Sequence, residues 1–186
     1  MHTRIATYSA GFTLIELLVV LLISAIIAIF AAPSMNDLLD RVAVNTTKDS
    51  IIEAIRSARV TAVEQKTTIE ICGLTNDNNC GSDASSWDNG ITIAERKPDN
   101  SLEILNTIKF KKSVYVKING DTYTIYINKQ GWTSGSADSV LVCRETGDNK
   151  YGQRIVLSRA GKTRTEPYTG SDWENSSGTK LNCNNT

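Results

Sequence analysis

At 186 residues, with 20 acidic and 20 basic side chains, the chain is formally neutral, so net charge draws it to neither nucleic acid nor an anionic lipid surface. Its one histidine, His2, leaves none in the body of the chain, which excludes a His-based catalytic triad or a His-ligated metal centre there. With one membrane segment set aside, about 150 residues remain, enough for one globular domain with a modest core.

The first element is the run Gly11 to Ala32, followed at once by Pro33. From Phe12 onward it is apolar except for Thr13, Glu16 and Ser24. About twenty such residues, at a rise of roughly 1.5 Å each, make enough helix to cross a bilayer. The polar head Met1 to Gly11 carries Arg4, the positive flank expected to stay in the cytoplasm. Glu16 is an ionisable group inside this run; its carboxylate costs several kcal/mol there unless it has a partner, which marks it as a functional residue. Pro33 removes a backbone donor and its ring meets the carbonyl of Ile29, so a kinked helix that continues past it is expected.

Ser34 to about Gln65 reads as an amphipathic continuation of that helix. Leu38, Val42, Ile51, Ile52, Ile55, Ala58 and Ala62 fall near one stripe, with Asp40, Arg41, Lys48, Asp49, Glu53 and Arg56 on the other faces. The stripe predicts packing against a sheet, and the whole helix from Phe12 to Gln65 would be roughly 80 Å long.

Beyond Lys66 the period changes to short alternating runs. Strands are predicted at 68–72, 90–94, 102–108, 114–118, 122–128, 139–143 and 153–159. Asn119-Gly120, between two of them, is a two-residue hairpin signal. Strands at this spacing without helical patterns between them imply an antiparallel sheet, and the fold class is α+β, one long helix laid on that sheet. Trp87, Trp132 and Trp173 have no regular spacing and are read as packing residues. The Ser-, Asn- and Gly-rich tail from Gly170 is loose unless Cys183 ties it down.

A body placed in an oxidising compartment uses an even number of cysteines for disulfides. Cys72, Cys80, Cys143 and Cys183 allow three pairings. Cys72 with Cys80, closing a short polar loop, and Cys143 with Cys183, stapling the tail to the core, are expected. No C-x-x-C is present, so a metal site is disfavoured, and Asn76-Asp77-Asn78-Asn79 lacks the ligand spacing of an EF-hand loop.

The residues Gly11-Phe12-Thr13-Leu14-Ile15-Glu16, followed by the long apolar run, resemble the class III leader junction of type IV pilins and type II secretion pseudopilins. The resemblance implies that a prepilin peptidase cuts after Gly11 and methylates the new amino terminus at Phe12. It also gives Glu16 a partner, the N-terminus of a neighbouring subunit; two charges buried together are far cheaper than either alone. Downstream, Ala58-Arg59, Trp87 with Gly90, Gly131, Val140-Leu141-Val142-Cys143, Arg154-Ile155-Val156-Leu157-Ser158 and Gly161-Lys162-Thr163-Arg164 together resemble the GspH/FimT/FimU branch of minor pilins and pseudopilins.

That resemblance implies a type IV pilin-like fold: a long kinked N-terminal helix packed on one or more antiparallel β-sheets. The organisation is then a leader at 1–11, a transmembrane and assembly helix at 12–33 with Pro33 at its end, an amphipathic continuation at 34–66, and a β-rich domain at 67–186 with a disulfide-tied tail. The function implied is structural and needs no cofactor: a minor pilin that primes or caps a type IV pilus together with other minor and major pilins. It is anchored in the inner membrane by a single pass, its globular domain periplasmic, before it enters the filament. A minor pseudopilin of type II secretion shares every one of these features. The resemblance also carries a second reading, a DNA receptor for transformation, because Gly161-Lys162-Thr163-Arg164 is similar to a glycine-arginine turn associated with DNA binding in the FimT group. Lys162 keeps the charge there but lacks the bidentate fork of Arg. Arg159 and Arg154 extend this candidate patch, and Lys109, Lys111 and Lys112 form another strip.

Overall fold

The structure, a computed structural model, describes residues 12–119, 122–134, 139–147, 149–174, 178 and 180–183, except for the side chains of 30–34 and 134. It divides into two compact units, residues 1–39 and 40–186.

One helix, α1 (Leu14–Gln65), supplies the described part of the first unit and opens the second. Its start is dictated locally. The Thr13 hydroxyl accepts the Glu16 N–H at 3.3 Å and the Thr13 carbonyl accepts the Leu17 N–H at 3.2 Å, the arrangement of a helix N-cap. Within the apolar run Ser24 donates its hydroxyl to the Val20 carbonyl at 2.7 Å, so its polar atom is satisfied inside the helix. Helical structure runs through Pro33. The end is equally local: Lys66 sits at φ 55° and the Thr67 N–H reaches back to the Ala62 carbonyl at 3.2 Å, which terminates the helix in a left-handed cap.

In the second unit, β1 (Thr68–Leu74), β2 (Cys80–Gly81), a 3-10 turn (Ala84–Asp88), β3 (Gly90–Arg96), β4 (Leu102–Lys109), β5 (Val114–Asn119), β6 (Thr124–Ile127) and β7 (Thr133–Ser134) follow the helix. They are succeeded by β8 (Ser139–Arg144), β9 (Gln153–Leu157), β10 (Thr163–Pro167), β11 (Trp173–Glu174) and β12 (Lys180–Leu181). The strands form two main antiparallel sheets and a ribbon. One sheet has the order β4-β3-β1-β6-β7 with β2 on β1, the other β10-β9-β8-β5, and β11 pairs with β12. The fold class is α+β, as the alternating patterns imply, with the main antiparallel strands divided between two sheets.

Both sheets turn their apolar faces to one core. Ile69, Ile71, Ile91, Ile93, Ile125 and Ile127 come from the first sheet, and Val114, Val116, Ile118, Val140, Val142 and Ile155 from the second. Val44, Ile51, Ile55, Ala58 and Ala62 of α1 join the same cluster. Each fully buried Ile or Val stabilises the fold by about 1.5–3 kcal/mol relative to its exposed state. Trp87 is fully buried, and its indole N–H donates to the Tyr123 carbonyl at 2.9 Å. At the start of this unit Asp40 pairs with Arg144 at 2.5 Å, tying α1 to the end of β8.

Three expectations change. The stripe of α1 is entered through Ala43, Val44 and Thr47, while Val42 is half exposed. Val42 lies two residues, about 200° of helix rotation, from Val44, so the phase set by Ile51 and Ile55 turns it outward. Leu38, assigned to the same stripe, falls in the first unit and is exposed. Asn119-Gly120 does not join paired strands: β5 pairs with β8 and β6 pairs with β1. Both strands bury alternate residues, Val114-Val116-Ile118 and Ile125-Ile127, so each completes a different sheet around the shared core.

Candidate functional site

Two surfaces hold the residues singled out in the sequence. The first is the start of α1. Gly11 lies outside the described residues; Phe12 is exposed, and Glu16 stands in the first helical turn, where the partial positive charge of the helix N-terminus favours a carboxylate. Around it Leu14, Ile15, Leu17, Leu18, Leu21 and Leu22 are all exposed. Pro33 lies within the span of α1, with its side chain outside those described. Among the described residues no helix is long and apolar enough to cross a membrane.

The cysteines form two bridges, Cys72–Cys80 and Cys143–Cys183. The first joins neighbouring strands β1 and β2, with Cα atoms 5.4 Å apart. The second links β8 to a residue 40 positions later, just beyond β12. Around it Leu141, Trp173 and Leu181 make a small second core, where Tyr168 meets Trp173 edge to face at 5.4 Å. The Asn149 side chain accepts the Cys183 N–H at 2.7 Å and donates to Asp172 at 3.3 Å, so the tail is held as well as cross-linked. Among the described residues no group of His, Cys, Asp and Glu side chains is placed to hold a metal ion.

The second surface surrounds the tip of the β9–β10 hairpin. Here the four candidate DNA-binding cations separate into two kinds. Arg154 is buried; its guanidinium bonds Glu166 at 3.2 Å and the Glu174 carbonyl at 2.9 Å, so it cannot belong to an exposed patch. The alternation of β9 puts Ile155 in the core and Arg154 on the opposite face, where the segment carrying Glu174 covers it. Arg164 is exposed but pairs with the other oxygen of Glu166 at 2.6 Å. Arg159 and Lys162 are exposed and form no ion pair with any described residue. Lys109, Lys111 and Lys112 are exposed around half-buried Phe110, which packs on the core.

The tip itself is stitched to the β6–β7 turn. The Thr133 hydroxyl donates to the Ser158 carbonyl at 2.7 Å, and the Thr133 N–H to the Arg159 carbonyl at 3.0 Å. Gly161 adopts φ +70°, and a Cβ there would stand 2.5 Å from the Gly131 carbonyl oxygen. Gly131, at φ +77°, faces Arg59 and Val63 of α1 in the same way. Arg59, Gly131 and Gly161, three far-separated members of the resemblance, are therefore one place in the fold. Beside them an open groove of about 650 Å³ runs between α1 and the hairpin tip. Sequence reasoning missed this groove, because Val60 and Val63 carry no signal until the hairpin is placed opposite them. It also placed Trp132 among the packing residues, whereas Trp132 is 60% exposed.

Comparison with known proteins agrees with the elements described. A prokaryotic N-terminal methylation motif matches residues 7–32, and the family Type II transport protein GspH matches residues 49–161. No protein of curated description matches the chain. Among solved structures, the type IV minor pilin FimU of Pseudomonas aeruginosa is 18% identical, with a TM-score of 0.54, over 70% of this chain and 92% of that one. A second crystal form of FimU, also 18% identical, gives 0.51 over 66% and 92%. The minor pseudopilin EPSH of the Vibrio cholerae type II secretion system is 10% identical, with a TM-score of 0.46, over 70% and 96%. The likeness to FimU shows a type IV pilin-like fold.

Proposed function

This chain belongs to the type II transport protein GspH family, and on that premise we propose that it is a minor pilin that primes or caps a type IV pilus, a structural subunit and not an enzyme. The observation that carries the reading is the exposed apolar surface of α1 from Leu14 to Ile29, with Glu16 inside it. Soluble monomers rarely expose a contiguous apolar surface of this extent, and one that does is an interaction surface for membrane or protein. Prepilin peptidase removes 1–11 and methylates Phe12. The run Phe12–Ala32 then anchors the chain in the inner membrane by a single pass with the domain in the periplasm, and later packs among other minor and major pilins. Glu16 sets the register by pairing with the amino terminus of its neighbour, and Pro33 loosens the helix where anchor meets domain.

Glu16→Ala tests the reading. Processing at Gly11 proceeds in the variant, while its recovery in sheared filaments falls by a large factor, because one buried charge is left unpaired. Normal incorporation of Glu16→Ala would sink the charge-pairing account. Co-purification with other minor pilins, against co-purification with secretion pseudopilins, separates pilus from type II secretion machine.

The DNA-receptor reading now rests on Arg159 and Lys162, since Arg154 and Arg164 are committed to Glu166. Even with Arg56 and Arg59, which line the groove beside Lys162, this is a small footprint beside the roughly six to ten phosphate contacts that make binding strong and steeply salt-dependent. Titration of the full chain with duplex DNA at low salt, alongside Arg159→Ala/Lys162→Ala, decides it: salt-sensitive binding lost in the variant establishes it, and no binding ends it.

A further inference from the structure

We propose that the groove between α1 and the β9–β10 tip seats an acidic segment, carrying an apolar side chain, of a neighbouring subunit in the filament. The inference rests on the reading of the chain as a filament subunit and adds where and by what chemistry it contacts a neighbour through its globular domain.

The groove has an apolar floor and a cationic rim. Val60 and Val63, 55% and 47% exposed, supply the floor; Arg56, Arg59 and Lys162 supply the charge, against one carboxylate, Glu64. At about 650 Å³ it is large enough to take an apolar side chain with its flanking backbone. Several other cations of the domain are paired with its own acids. Arg96 lies on Glu70, Lys97 between Glu95 and Glu103, Arg144 on Asp40, and Arg154 with Arg164 on Glu166. The three groove cations make no ion pair with any described residue. A surface that withholds its charges from its own acids is complementary to carboxylates from outside.

Arg59 is also held in place before any partner arrives. The turns at Gly131 and Gly161 approach so closely that a Cβ on either would stand 3.0 or 3.2 Å from Arg59 Nε. A side chain confined in this way loses less freedom on binding than a free one. The occupant favoured is peptide and not nucleic acid, because a phosphate backbone offers no apolar group to a concave valine-lined floor. A carboxylate-bearing segment can set its acids on Arg56, Arg59 and Lys162 while its apolar side chain covers Val60 and Val63.

The test uses the full chain in filament-producing cells, with the photo-crosslinker benzoylphenylalanine in place of Val60 and, separately, of Leu18 in the apolar half of α1. The expected result is a cross-link from position 60 to an Asp- or Glu-bearing segment of another filament subunit, located by mass spectrometry. Its yield falls roughly tenfold in an Arg56→Glu/Lys162→Glu background, whose substituted positions are exposed and whose fold is checked by circular dichroism. A cross-link to subunits from position 18 but none from position 60 overturns the groove proposal and leaves the subunit reading standing. So does a position-60 cross-link that the charge reversal leaves unchanged, or one made to nucleic acid. Silence at both positions overturns the subunit reading, and the groove's occupant with it.

Discussion

The two halves of α1 are built from the same apolar residues and treat them in opposite ways. From Leu14 to Ile29 the side chains of Leu17, Leu18, Leu21 and Ile26 are between 48% and 61% exposed. From Asp40 to Gln65, Ile51 and Ile55 are at 0% and 1%, packed against two sheets. The second half uses its apolar surface as folding energy, removing it from water inside its own domain. The first half keeps that surface outside the chain's own core, where only a lipid phase or other chains can remove it from water. One helix thus carries two separable surfaces, one buried in the domain and one left exposed, and a substitution should change domain stability only in the half that is buried.

The sharpest way to break this comparison is a matched pair. Ile55→Ala should cost about 2–4 kcal/mol of domain stability, because it leaves a cavity in the core. Leu21→Ala should change it by no more than about 0.5 kcal/mol, as for an exposed site. Both are read from chemical unfolding of the detergent-solubilised full chain by tryptophan fluorescence, and equal losses would mean that the halves are not energetically distinct. A smaller effect sharpens the account of what α1 leans on. Gly161→Ala places a Cβ at φ +70° and 2.5 Å from the Gly131 carbonyl, which should cost about 1–3 kcal/mol. Amide exchange should speed up at the hairpin tip and the β6–β7 turn while the first half of α1 is unaffected.

The smallest effect concerns pH. Burial raises the Asp88 carboxyl above the ordinary carboxylate value, partly opposed by the Val116 N–H that donates to it at 3.0 Å. A carboxyl with a raised folded-state pKa binds its proton more readily when folded, so its charged form weakens the domain at neutral pH. That penalty fades as pH falls through the raised value toward about 4. Asp88→Asn keeps an acceptor for Val116 and removes the charge. It should therefore raise the unfolding midpoint slightly at about pH 7 and leave it unchanged at about pH 3.

Much of the fold was legible because its signals are local. The helix was legible from Phe12, where the apolar run begins, to the loss of period after Gln65, and seven strands were visible as alternating runs. What escaped were the pieces with little pattern of their own: the two-residue strands β2, β7, β11 and β12, and β10, whose Thr163-Arg164-Thr165-Glu166-Pro167 has no apolar alternation and exists because β9 offers it an edge. The hairpin expected at Asn119-Gly120 failed for a related reason. Turn chemistry describes the connection, whereas the partner of each flanking strand is chosen by which sheet can bury its Val and Ile residues.

The sequence by itself determined the apolar run with Glu16 inside it, the class of the fold, the presence of four cysteines and the family, since each depends on residues near one another in the chain. Only the tertiary structure decided which sheet each strand joins and where the stripe of α1 enters the core, through Val44 and not Val42. It also decided that Arg154 is a buried partner of Glu166, whereas Arg59 and Lys162, 103 positions apart in sequence, share one groove. Burial and charge pairing are properties of what a residue meets across the fold, and for these residues the partners lie on other strands, beyond the reach of any local pattern.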